Sequence, residues 1–377
     1  MSETSFNYTT TFITATLLTE ETIFVSTDND TLVTDSTGFS TKEQILRAIY
    51  AIIGCLGILG NSTVCTVFLL RRKAFSSVTN MLILNQSIID LLDSIVFLIL
   101  RFGPEYMPVN ILGEILCRFW YNEYVLWSLF VASTLNLVFV SLERYFATCH
   151  PVKHRVLFSA KVPKIGIPCV WLTGFMYQIY WVAVHVFGIE TSWGGICYPL
   201  WRSRGIQIFM GIFLFSCEYL LPLTIMTFSY ISIIMMLRRR TSGNRKTKVS
   251  AFGKAKKNVT ITLCLVFVSY VVCWTPTEFT YLLFNMGYHY DFTSTTHDVI
   301  VVLVLCNMIV NPFIYGFKYE HFQKQFKKLF CTCCDKNRIG DTNLATVTVD
   351  PAGVDSDPNK APDTASASAM PSTVASG

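Results

Sequence analysis

Four stretches of the chain, residues 48–70, 124–142, 165–189 and 299–317, contain no Asp, Glu, Lys or Arg. About 20 apolar residues, each rising 1.5 Å, cross a hydrocarbon core of about 30 Å. Runs of this length and purity are therefore membrane spans. The same pattern, interrupted by single polar residues, gives seven segments near 46–70, 78–101, 115–148, 163–187, 206–237, 255–286 and 296–317. The third, fifth and sixth exceed the length a span needs and are expected to tilt or project into water. Charged residues are 15% of the 377, against about 25% in soluble domains. That excludes a disordered chain, a disulfide mini-protein and almost every soluble enzyme. The first residues lack the basic and apolar regions of a cleaved signal, so the first span is expected to direct insertion itself.

Basic residues set the orientation, because cytoplasmic loops collect Lys and Arg. With the N-terminus outside, 24 of the 30 Lys and Arg fall on the inner side. The six left outside are Lys42, Arg47, Arg101, Arg118, Arg202 and Arg204. The expected location is the plasma membrane, multi-pass, N-terminus extracellular and C-terminus cytoplasmic. The net charge of +5 follows from this asymmetry; it serves topology and contact with anionic membrane lipids, and points to no nucleic-acid partner. Residues 1–44 are Thr/Ser-rich and acidic and read as an extracellular disordered tail. Asn7 and Asn29 head glycosylation sequons there. Residues 45–317 form the span region, 318–334 a basic amphipathic stretch, and 335–377 a Ser/Thr/Ala/Pro-rich disordered cytoplasmic tail. In the third part Phe322, Phe326, Leu329 and Phe330 share one helical face, expected to lie on the inner leaflet. Cys331, Cys333 and Cys334 follow at the membrane surface as palmitoylation candidates.

Polar groups in hydrocarbon are costly, so each asks for a partner. The second span carries Asn85 and Asp90, the first Asn61. The third ends Ser141-Leu142-Glu143-Arg144-Tyr145. The fifth has Pro222 and Tyr230, the sixth Cys273-Trp274-Thr275-Pro276, and the seventh ends Asn311-Pro312-Phe313-Ile314-Tyr315. A Glu-Arg-Tyr, a Cys-Trp-x-Pro and an Asn-Pro-x-x-Tyr on successive spans resemble the rhodopsin-like (class A) G protein-coupled receptors, most closely the peptide-receptor branch. The resemblance covers about 45–335. The fold class is thus expected to be all-α integral membrane, a seven-transmembrane helix bundle with a short amphipathic cytoplasmic helix.

The resemblance implies roles. Glu143, Arg144 and Tyr145, with Tyr230, Asn311, Pro312 and Tyr315, form the switch that couples to a heterotrimeric G protein. Receptor kinases and arrestin are implied as further partners. Arg144 can pair with Glu143 or release it, a bistable element. Many members hold this Arg with an acid on the sixth span, where this chain has Lys256. The inactive state is then expected to rest on Glu143 alone. Trp274 and Pro276 form the toggle, and Pro222, Pro276 and Pro312 should kink their helices. The matching pair Cys117 and Cys197 is bridged in the family. Cys117 and Arg144 are 27 residues apart, two more than the family's habit, so a bulge is expected in the upper third span. Asp90, Ser133, Asn307 and Asn311 match residues that line an allosteric sodium pocket, the one ligand of cofactor type in prospect. From the residues alone, a structural hydrogen-bond network is the alternative. Met308 stands where the family often has Ser.

On the outer side the seventh span has no Lys for a retinal Schiff base, and the third no Asp for a biogenic amine. Three acids could face the cavity: Glu123, Glu218 and Glu278. Trp127, Tyr281, Trp193 and Trp201, with His185 and His297, add aromatic and cation–π surface. The expected partner is an extracellular peptide or small cationic ligand, first of all a neuropeptide with a basic group. A small amine or lipid is the alternative, and an ion channel or transporter the rival class. Nucleotide exchange would occur on the partner, so the chain is expected to be no enzyme.

Overall fold

The computed structural model describes residues 40–330 except 105, 160, 191–193 and 244–250. The sequons at Asn7 and Asn29, the cysteines Cys331, Cys333 and Cys334, Trp193 and the side chain of Lys256 lie outside the described residues.

Six helices are long and apolar enough to cross a membrane: Thr41–Leu70, Val78–Phe102, Ile111–Cys149, Val162–Val184, Arg204–Arg239 and Asn258–Met286. The pair Thr295–Leu305 and Asn307–Lys318, bent by 45°, makes the seventh span. A two-stranded antiparallel hairpin, His185–Glu190 with Gly194–Pro199, joins the fourth and fifth spans. The expected helix to residue 187 instead ends at Val184, where β-branched and glycine residues take over the pairing. A short helix, Pro151–Leu157, follows the third span, and Glu320–Phe330 follows the seventh.

Local chemistry starts these elements. Ser40 and Glu43 form a reciprocal cap on the first span. Ser77 caps the second span through Asn80 N–H and Ser294 the seventh through His297 N–H. Pro151 opens the short helix at its first position, where its missing N–H has no intrahelical partner to lose. Phe322 of the final helix is buried against the bundle, with Phe68 6.1 Å away and Phe326 6.1 Å along its own face.

The expected bulge is present. Cys117–Tyr121 is a π-helical turn and Glu123 sits at φ 61°, the left-handed region, before the helix resumes at Tyr124. The break is stitched by Asn122. Its Nδ2 donates to the Arg118 carbonyl at 2.6 Å, its Oδ1 accepts from Tyr124 N–H at 3.0 Å, and its carbonyl accepts from Trp181 Nε1 at 2.7 Å. A second π-helical turn, Phe215–Leu220, interrupts the fifth span just before Pro222.

The bend of the seventh span falls at Cys306, six residues before Pro312. Pro312 lacks the N–H that would reach the carbonyl of Met308. Asn61 Nδ2 takes that carbonyl at 2.9 Å, tying the first span to the seventh. Gly174 lets the fourth span approach the third, because a Cβ there would lie 2.7 Å from the Ser128 carbonyl and 3.0 Å from Ala132. Such small-residue contacts are how helices close up in lipid.

Candidate functional site

At the end of the bundle that carries the hairpin, spans three to six line a small cavity of about 50 Å³. Trp127 enters from the third span, Gln178 and Trp181 from the fourth, Glu218 from the fifth, and Glu278 and Tyr281 from the sixth. Glu218 lies within the π-helical turn before Pro222, and Glu278 lies two residues after Pro276. Gln178 Nε2 donates to Glu218 Oε1 at 3.3 Å. No Lys, Arg or His makes an ion pair with either acid among the described residues. Two carboxylates facing one enclosed space repel unless a proton or a cation comes between them. His297 lies in a smaller adjoining cavity with Trp127 and Thr277, and its Nδ1 is 3.3 Å from the Tyr290 hydroxyl.

Two expected cavity residues are placed elsewhere. Glu123 faces Arg101, with Oε1 2.8 Å from Nη2 and both side chains 4% exposed. The left-handed turn at Glu123 aims the carboxylate at the second span, where it pairs with Arg101. His185 is buried behind Trp181, its Nδ1 3.0 Å from the Trp181 carbonyl. Arg101 itself, charged and at the last turn of an apolar helix, was the signal the sequence offered for this pair.

An aromatic cluster packs around the expected toggle residue Trp274. Trp274 meets Phe130 edge-on at 5.1 Å and Tyr270 at 6.3 Å. Below it, Asp90 is buried among three donors. Asn311 Nδ2 reaches Oδ2 at 2.8 Å, while Gln86 Nε2 and Ser133 Oγ reach Oδ1 at 2.9 and 3.4 Å. Asn307 makes no hydrogen bond to Asp90 among the described residues, and Gln86 takes the place expected of it. Sodium requires oxygen ligands, yet an amide nitrogen stands between Asp90 and Ser133. As arranged, the residues do not fit the ion.

At the far end Glu143 is 1% exposed and is held from three sides. Arg144 approaches with Nε at 2.5 Å and Nη2 at 2.6 Å, Thr79 Oγ1 donates at 2.9 Å, and His154 Nε2 lies 2.8 Å from Oε1. Among the described residues Arg144 bonds Glu143 alone, and Thr79 and His154 orient that carboxylate. His154 gets there because Pro151 starts a helix whose first turn points it back at the third span. Tyr145 bonds His150 at 3.1 Å, Tyr230 stacks on Phe267 at 5.2 Å, and Tyr315 is buried. The bridge between Cys117 and Cys197 joins the hairpin to the third span, with Cα atoms 5.3 Å apart.

Comparison with known proteins agrees with this architecture. The pattern of the 7 transmembrane receptor (rhodopsin family) matches residues 60–315. Galanin receptor 2a of Danio rerio is 26% identical over 81% of this chain and 82% of its own. Neuropeptide Y receptor type 6 of Mus musculus is 27% identical over 81% and 85%, and the allatostatin-A receptor of Bombyx mori 28% over 76% and 80%. With seven spans, the Glu-Arg-Tyr and Asn-Pro-x-x-Tyr ends in place and a family match over two thirds of its length, the chain is a multi-pass membrane protein of the rhodopsin family of seven-transmembrane receptors, and not an enzyme.

Proposed function

We propose that the chain is a cell-surface receptor for an extracellular neuropeptide with a basic group, and that it activates heterotrimeric G proteins. The observation that carries the ligand class is the pair Glu218 and Glu278, facing one cavity with no basic side chain paired to either among the described residues. A ligand Lys, Arg or terminal amine supplies the missing positive charge, and Trp127, Trp181 and Tyr281 surround it with aromatic faces. The relatives named for galanin, neuropeptide Y and allatostatin-A support a peptide over a small amine. The excess of Lys and Arg on the Arg144 side supports an extracellular N-terminus.

Binding shifts a pre-existing balance. The ligand favours the state in which the sixth span swings outward, Arg144 leaves Glu143, and a cleft opens for the G protein. Moving such a switch from 1:99 to 99:1 takes about 5.5 kcal/mol of differential affinity. Cells expressing the receptor are to be screened with basic and amidated peptides, including galanin, neuropeptide Y and allatostatin-A. Against the active peptide, Glu218→Gln and Glu278→Gln should each raise the half-maximal concentration about ten-fold or more, in line with 1.5–3 kcal/mol for a charged hydrogen bond. Unchanged potency in both variants rules out the anchor.

A further inference from the structure

Spans two, three and four share a buried polar chain that has a direction. The indole N–H of Trp171 can only donate, and it donates to Asn85 Oδ1 at 3.0 Å. That leaves Asn85 Nδ2 to donate to Asn136 Oδ1 at 2.9 Å. Asn136 then turns its own nitrogen outward, to Gln86 Oε1 at 2.8 Å and the Leu82 carbonyl at 3.0 Å. Gln86 is left with nitrogen at its free position. Its Nε2 lies 2.9 Å from Asp90 Oδ1 and 2.5 Å from Ser133 Oγ.

The chain begins at a group that only donates and ends at a carboxylate, which accepts when ionised. Amide oxygen and nitrogen are assigned from their networks, and here the two ends leave each amide one orientation. Turning Gln86 over would set its oxygen against the Asp90 oxygen and its nitrogen against Asn136 Nδ2. The mismatch could be passed along only to Trp171, which has no oxygen to offer. Asn85, Gln86, Asp90, Ser133 and Asn136 are each no more than 4% exposed, so a mismatched pair there has no water to rescue it and costs the full desolvation of the groups.

We propose that Gln86 is a tethered substitute for a cation. Its amide N–H bridges Asp90 and Ser133, the two oxygens between which an ion would sit, and the network behind it keeps that N–H in place. The receptor is therefore indifferent to sodium, and removing the Gln86 amide makes it sodium-sensitive. This inference rests on the polar network and is independent of the ligand reading.

The test uses the full-length purified receptor, unfolded thermally in about 0.15 M sodium chloride and in choline chloride at equal ionic strength. The wild type is expected to give the same midpoint in both salts. Gln86→Leu is expected to be less stable in choline and to regain about 2–4 °C in sodium. Asp90→Asn added to Gln86→Leu should remove that gain. A sodium-dependent rise in the wild type that Asp90→Asn abolishes overturns the proposal, as does folded Gln86→Leu with no sodium response. Should Gln86→Leu fail to fold, the wild-type comparison decides alone: equal midpoints support the substitute, and a rise lost in Asp90→Asn sinks it.

Discussion

Single residues carry the sharpest consequences of this structure. The pair between Arg101 and Glu123 is almost wholly removed from water, and losing one partner of such a pair costs about 3–5 kcal/mol. Glu123→Gln should lower the thermal midpoint and surface level strongly while leaving the agonist potency of the surviving receptor near wild type. Replacing both partners, Arg101→Met with Glu123→Leu, should recover much of the stability. A potency loss in Glu123→Gln as large as that in Glu218→Gln would return Glu123 to the cavity. His154 makes a different prediction. Its bond to Glu143, worth about 1 kcal/mol, favours the state in which Arg144 is held. His154→Ala should raise ligand-independent GTP loading about five-fold, and His154→Gln, which can still donate, should stay near wild type. Equal basal rates in all three proteins would show that the contact does not restrain the switch.

Elements show why part of this was readable and part was not. Span positions follow from hydrocarbon thickness alone, and the seven intervals read from apolar runs coincide with the helices to within a few residues at most ends. The bulge above the third span was legible as a surplus of two residues between Cys117 and Arg144. Its geometry was not, because whether Glu123 meets a ligand or Arg101 depends on one left-handed residue that no periodicity reports. Pro312 was expected to kink the seventh span; the 45° bend falls at Cys306 instead, and Asn61 takes the Met308 carbonyl that the proline leaves open. This gives a coupled prediction. Asn61→Leu should destabilise the receptor by about 1–2 kcal/mol, and less so in a Pro312→Ala background, where residue 312 regains an N–H for Met308. Strictly additive losses in the double-mutant cycle would show that Asn61 acts elsewhere.

For the molecule as a whole, the sequence placed chemistry at both ends of the bundle but paired it poorly in the middle. Glu218, Glu278, Trp127 and Tyr281 were legible because acids and aromatics near the outer ends of spans have few other uses, and the structure brings them to one cavity. Gln86, Thr79 and His154 were missed because each is an ordinary polar residue until a neighbouring helix places its partner. The two π-helical turns, at Cys117–Tyr121 and Phe215–Leu220, stand at the outer parts of the third and fifth spans. A π-helical turn holds more residues than an α-helical one, so it absorbs an extra residue locally and the turns on either side keep their facing. What is re-aimed is the widened turn itself, Glu218 among its side chains, while the signalling half is left untouched.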